Sequence, residues 1–175
     1  MGNNTSNKMS TTYKGVKMKD IMLKIVGKQI TRDKEEEQLE FVTEGKLYED
    51  GDAVYLTYPE SEFSGMLGCT TSLKITKDKI EMRRFGEGTS AETEMEFQKG
   101  KRFNGMYETP YGPIEMEVLT NEIINNIDKD NAKGSLNIDY HISLKGLSEG
   151  RSRLDIEILS NRSKPPTRPN ASKLI

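Results

Sequence analysis

Apolar and polar residues alternate with a period of two along most of this chain. Ile21, Leu23 and Ile25 open the pattern, with Met22 and Val26 blurring its phase. Leu39, Phe41, Thr43, Gly45 and Leu47 follow, then Val54, Leu56, Tyr58 and Glu60. Leu67, Cys69, Thr71, Leu73 and Ile75 continue it, with Ile80, Met82 and Arg84 and the short Thr93, Met95, Phe97. Phe103, Gly105, Tyr107 and Thr109 precede Ile114, Met116, Val118 and Thr120; Leu136 to Leu144 and Leu154 to Ile158 close the series. Alternation of this kind builds strands with one buried face.

Turn residues separate the segments: Asp50-Gly51, Lys77-Asp78, Gly86 to Gly88, Lys99-Gly100, Pro110 to Pro113, Asp130-Asn131 and Gly146 to Gly150. Asp50-Gly51 between two alternating runs signals a two-residue hairpin. Connections this short make neighbouring strands antiparallel. About ten short strands predict an all-β domain over residues 19–160, a sandwich or an up-and-down barrel. Asn121 to Lys129 is ambiguous: Ile123, Ile124 and Ile127 have helical spacing, but Asn125 and Asn126 disfavour a helix. A strand continuing through a kink near Asn121 is the reading adopted, with a single-turn helix as the alternative.

Composition allows such a core without making it large. Val, Ile, Leu and Phe number 37 of 175 residues, just above the roughly 20% below which a charged chain stays disordered. No apolar run approaches the ~20 residues of a membrane helix, and Met1 to Thr12 lacks an apolar signal core, so the expected location is cytoplasmic. One Cys and one His exclude a disulfide framework and a Cys/His zinc site.

The net charge of −2 hides a division. Residues 1–19 carry Lys8, Lys14, Lys17 and Lys19 and no acid, and residues 161–175 carry Arg162, Lys164, Arg168 and Lys173 and no acid. All 28 acidic residues lie between, against 18 basic ones. Residues 1–18 and the Pro-rich 161–175 are read as disordered basic tails. Neither tail interleaves aromatics with bases as single-strand binders do, and the acidic middle repels phosphates, so strong nucleic-acid binding is not expected. Met1 to Ser6 fits a myristoylation pattern, and Asn3, Asn161 and Asn170 head glycosylation triplets; both are short enough to arise by chance.

Familiar catalytic arrangements are missing. Gly86-Glu87-Gly88 is followed by neither Lys-Ser/Thr nor a helix, so it is no phosphate loop. His141 and Asp139 share the outer face of their strand and read as a surface contact. Cys69, in phase with Leu67 and Leu73, reads as a buried thiol. Glu94/Glu96 and Glu115/Glu117 mark the solvent side, and Asp128 to Asn131 lacks the later ligands of an EF-hand. The pattern weighs against an enzyme and calls for no cofactor and no metal.

The informative feature is a polar set in the inward phase: Thr43, Tyr58, Glu60, Thr71, Arg84, Tyr107, Thr109, Thr120 and Tyr140. Each can sit at a strand end where the face opens to water, and for Glu60, beside Pro59, that is the default. Arg83 takes the outer phase, so Arg84 points inward and needs a partner, because an unpaired buried charge is costly. Glu60 is one candidate partner and a ligand anion another. The set is therefore either a structural polar network or a ligand site.

The same residues carry a resemblance. Thr43-Glu44-Gly45, Tyr58-Pro59-Glu60, Thr70 to Lys74, Arg83 to Gly86, Tyr107-Glu108-Thr109-Pro110-Tyr111-Gly112, Thr120 and Asp139-Tyr140 occur in order. Over about residues 20–160 the chain resembles the YwiB-like family of uncharacterised bacterial proteins, found mainly in Gram-positive bacteria. Tyr-x-Thr-Pro-Tyr-Gly is its most specific block; Pro59 and both tails depart from the pattern. The resemblance implies a calycin-like, lipocalin-related antiparallel barrel of about 8–10 strands and implies no activity. It adds Glu44, Lys74 and Tyr111 as secondary candidates beside Tyr58, Glu60, Thr71, Arg84, Tyr107, Thr109 and Tyr140. The expected function is binding of a small, anionic or amphipathic ligand in or at the mouth of the barrel. The alternative is a non-enzymatic protein docking a larger partner through its surface and tails.

Overall fold

The computed structural model describes residues 12–13, 16–61, 68–86, 92–109 and 111–159. Two short strands, β1 (Thr12–Tyr13) and β2 (Val16–Lys17), pair with each other. Ten more form one antiparallel sheet: β3 (Lys19–Thr31), β4 (Glu36–Asp50), β5 (Ala53–Pro59), β6 (Cys69–Ile75), β7 (Ile80–Gly86), β8 (Thr93–Phe97), β9 (Arg102–Thr109), β10 (Gly112–Asn125), β11 (Gly134–Leu144) and β12 (Ser148–Leu159). The spatial order is β8-β7-β6-β5-β4-β3-β12-β11-β10-β9. Its two ends, β8 and β9, are consecutive in the chain and lie side by side. The sheet is thus a nearly closed up-and-down barrel of ten strands, as the alternation and the short connections require. Residues 161–175, and most of the N-terminal stretch read as a tail, lie outside the described residues.

The hairpins put the connections at two ends. Residues 51–52, 76–79, 98–101 and 126–133 turn at one end, where β3 also begins and β12 finishes; β5, β7 and β9 finish and β6, β8 and β10 begin at the other end, where residues 32–35 and 145–147 turn. The β4–β5 loop is Gly51-Asp52, one residue on from the expected pair, with Asp50 opposite Ala53 and Gly51 at φ 61°. The predicted Gly146–Gly150 turn is shorter than expected. Gly150 belongs to β12, pressed so close to β3 that a Cβ would lie 2.5 Å from the Ile30 carbonyl oxygen. The strand reading of Asn121 onward holds: β10 runs to Asn125, and a bulge between Thr120 and Glu122 leaves Asn121 without a partner in the β11 ladder. That is the kink.

Inward positions stack in cross-strand rows. Val54, Ile75, Ile80 and Phe97 pair in one row near the first end; Leu56, Leu73, Met82 and Met95 form the next. Leu23, Leu56, Leu73, Phe97, Val118 and Ile138 are all 0% exposed, so this part of the interior is packed with side chains. The row after that is Tyr58, Thr71, Arg84 and Thr93. Here the core ends and the candidate chemistry begins. Among the described residues no helix is long and apolar enough to cross a membrane, a statement that does not bear on strands.

Candidate functional site

Strand register brings the central candidates together at the second end of the barrel, its mouth. Tyr58 on β5 faces Thr71 on β6, and Thr71 faces Arg84 on β7. Glu60 lies one residue past β5. Its N–H donates to the Cys69 carbonyl at 2.8 Å, which carries the β5–β6 pairing beyond Pro59 and turns the side chain inward. Glu60 is therefore buried, 6% exposed, where the expectation was a strand end open to water. The Thr71 hydroxyl donates to Glu60 Oε1 at 2.5 Å.

Arg84 points inward as its phase required, while Arg83 is exposed and pairs with Glu92 and Glu94. The Arg84 side chain is 21% exposed and that of Glu60 3%, with Nε 3.7 Å from Oε1. This is an ion pair too long for a hydrogen bond. Among the described residues Nε is a buried donor with no hydrogen-bond partner. The pair compensates charge without filling the guanidinium's fork of donors.

Two tyrosines border it. Tyr58 is 2% exposed; burial first, then the Glu60 carboxylate, push its phenol well above the usual value, against the pull of Arg84 and of its hydrogen bond with Thr71. Tyr140 on β11 is also pushed up, chiefly by burial, with Arg84 and a hydrogen bond to Ser152 pulling the other way. Its ring meets Phe97 at 4.9 Å between centroids. Both phenols stay protonated at neutral pH and keep a hydrogen to donate. Ser152 was not among the residues singled out from the sequence; its place two positions before Leu154 in the β12 alternation is the signal that marks it as inward.

The remaining candidates fall elsewhere. Tyr107 is partly buried and packs against the core from β9. Thr109 serves its own turn: its hydroxyl donates to the Gly112 carbonyl at 2.6 Å and accepts from the Tyr111 N–H. Thr43 is partly buried on β4; Thr120 is 1% exposed, with a hydroxyl lacking a partner among the described residues. The three secondary candidates do not join the cluster. Glu44 is exposed on the outer wall, Lys74 lies outside with Glu81 at 3.7 Å, and Tyr111 is fully exposed in the β9–β10 turn.

The outer wall is a lattice of ion pairs. Glu94, Glu96, Glu115 and Glu117 contact Arg83, Lys79, Lys145 and Arg102. His141 shares Asn121 with Asp139, whose carboxyl is held below its ordinary value chiefly by hydrogen bonding to Arg151. This is a surface contact, as its phase indicated. Cys69 is half-buried, more open than expected, because it starts β6 at the mouth. Asp128 caps its turn by accepting from the backbone N–H groups of Asp130 and Asn131.

Comparison with known proteins places this barrel. The family model described as a domain of unknown function, DUF1934, matches residues 23–156. The chain belongs to that family. It is similar to the uncharacterised β-barrel protein YwiB of Bacillus subtilis strain 168, 26% identical over 113 residues that cover 65% of this chain and 76% of the relative. The crystal structure of YwiB from Bacillus subtilis superposes with a TM-score of 0.66 at 22% identity, covering 82% of this chain and 94% of that one. The YwiB-like resemblance and the barrel are thereby established. In this DUF1934 barrel the cluster of Tyr58, Glu60, Thr71, Arg84 and Tyr140 is the place where buried polar chemistry collects.

Proposed function

We propose that this protein is a binding barrel that holds a small anion-bearing molecule at its mouth, against Arg84. The observation that carries the reading is the Arg84 guanidinium: mostly buried, charge-compensated by Glu60 at 3.7 Å, yet with Nε unbonded among the described residues. A buried donor without an acceptor costs about 1–3 kcal/mol, and an incoming oxyanion removes that cost with charge-assisted bonds. Tyr58 and Tyr140, hydrogen-bonded to Thr71 and Ser152, make the neutral wall beside it. The ligand sits at the mouth and not in the depth of the barrel, because the rows below are filled by side chains. A cytoplasmic location and a non-enzymatic role belong to this reading.

Native mass spectrometry of the purified full chain and of Arg84→Lys tests it. A co-purifying small anion, retained by the wild type and lost from the variant, is the expected result. Apo-protein alone, with no thermal stabilisation by any member of a panel of small carboxylates and phosphates, overturns it.

A second reading, docking of a larger partner, draws on Ile30, Phe85, Met106, Tyr111 and Leu147. These are exposed apolar residues on the outer wall and turns of the same end. Pull-down with Leu147→Ser and Tyr111→Ser variants separates that reading from the first.

A further inference from the structure

We propose that Glu60 sets the charge class of the ligand. The mouth takes a head group bearing one negative charge, as a carboxylate does, on an apolar body, and rejects a doubly charged phosphate. This rests on the mouth-binding reading above and adds a selection to it.

The argument begins with charge balance. Glu60 is fixed in place by Thr71 and by its own backbone N–H to Cys69, so its carboxylate cannot swing out when a ligand arrives. Its side chain is 3% exposed, so water screens it poorly. Arg84 and Glu60 together are neutral, and an anion on Arg84 must sit within several ångströms of the Glu60 charge. One added negative charge is met by the guanidinium at closer range than by Glu60. A second finds its attraction already balanced and meets net repulsion in a poorly hydrated place. Basic side chains that could offset a dianion are absent from the described inward positions near Arg84; Arg83 and Lys74 lie on the outer wall, engaged with glutamates. The planar donor fork suits the two oxygens of a carboxylate.

The body of the ligand is read from what surrounds the fork. Phe41 packs 6.5 Å from the Tyr58 ring, and Tyr107, Ile142 and Leu144 are partly buried against the core on inward positions of the strands that reach the mouth. These are half-covered apolar surfaces at the same end of the barrel, suited to a compact apolar group.

Calorimetric titration of the full chain with three phenyl-bearing probes that differ in their anionic head group tests the proposal: benzoate, phenyl phosphate and the singly charged methyl phenyl phosphate, at pH 8. The wild type should bind benzoate and methyl phenyl phosphate at least tenfold more tightly than phenyl phosphate. Glu60→Gln, which keeps the shape and removes the charge, should abolish that preference, and Arg84→Lys should weaken every probe at least tenfold. The methyl ester comparison needs no variant, so it stands if Glu60→Gln fails to fold. Equal binding of singly and doubly charged probes, lost in Arg84→Lys, overturns the selection and leaves the mouth reading intact. Preference unchanged in a folded Glu60→Gln also overturns it. No binding of any probe, together with clean apo-protein in native mass spectrometry, overturns both.

Discussion

Two rows of inward side chains, four residues apart on the same strands, make opposite use of one backbone. The row Val54, Ile75, Ile80, Phe97 is apolar; the row Tyr58, Thr71, Arg84, Thr93 carries hydroxyls and a cation. At ~3.3 Å per residue they lie about 13 Å apart along the barrel wall. The first row is part of the core that holds the barrel shut. The second carries a buried charge, supported by the Glu60–Thr71 contact, and leaves a donor unfilled among the described residues. An arrangement of this kind costs stability relative to an apolar row. Four experiments sharpen the contrast between the rows.

The largest effect is expected in the apolar row. Phe97 is 0% exposed, and its ring also braces Tyr140. Phe97→Ala should cost about 3–5 kcal/mol by urea denaturation. A loss below about 1.5 kcal/mol would mean that this end is loosely filled and that the contrast between the rows is false.

In the polar row, Arg84→Met leaves the Glu60 carboxylate buried without its counter-charge and should cost about 3 kcal/mol. The double variant Glu60→Gln/Arg84→Met should recover most of that loss, because no net charge then remains inside. Read from the sequence alone, the sign of the Arg84→Met effect would separate a structural network from a vacant ligand site. With Glu60 buried 3.7 Å away it does not, since either role leaves the same stranded carboxylate. The ligand titrations decide function, and the double variant decides whether the charge pair is the energetic unit. A double variant as unstable as the single one would sink that account.

The polar cluster that includes this row also predicts an alkaline limit. Tyr58 and Tyr140 have phenols raised above the ordinary value near 10. For a raised acid group the folded state favours the neutral form. Its contribution is therefore whole below pH 10 and is lost as pH climbs from 10 towards the folded value, by at most about 1.4 kcal/mol per unit for each tyrosine. Denaturation series between pH 8 and 11.5 should show stability falling only above about pH 10, with a shallower fall in Tyr58→Phe. An unchanged slope in Tyr58→Phe would count against a buried, neutral Tyr58.

The alternation made the barrel legible because it depends only on which residues are apolar. All ten main strands, the kink at Asn121 and the inward turn of Arg84 follow from it. Glu60 and Gly150 did not. The burial of Glu60 depends on one backbone bond to Cys69 across the β5–β6 connection, and Gly150 on the approach of Ile30 from a strand more than a hundred residues away in sequence. Both are tertiary contacts without a periodic trace. Glu44 and Lys74 came from motif resemblance, and the outer phase of their own strands, visible in the sequence, already set them apart from the cluster. The convergence of Tyr58, Thr71 and Arg84 needed register, which alternation limits to even steps but does not fix.

The smallest expected effect tests the phase itself. Arg83 precedes Arg84 and should point the other way, with its side chain 57% exposed and its partners Glu92 and Glu94 on the outer wall. Exposed pairs of this kind contribute about 0.2–1 kcal/mol and weaken with salt. Arg83→Met should therefore change stability by less than about 1 kcal/mol, a difference that shrinks further at 0.5 M NaCl, and should leave ligand binding untouched. The same substitution one residue later removes the only guanidinium that faces Glu60 among the described residues. Because the two variants differ by a single position along one strand, they share side-chain chemistry, strand propensity and distance from the mouth, and only the face differs. If Arg83→Met proved as costly as Arg84→Met, β7 would be out by one residue. The row that joins Tyr58, Thr71 and Arg84 would then dissolve, and the proposed site with it.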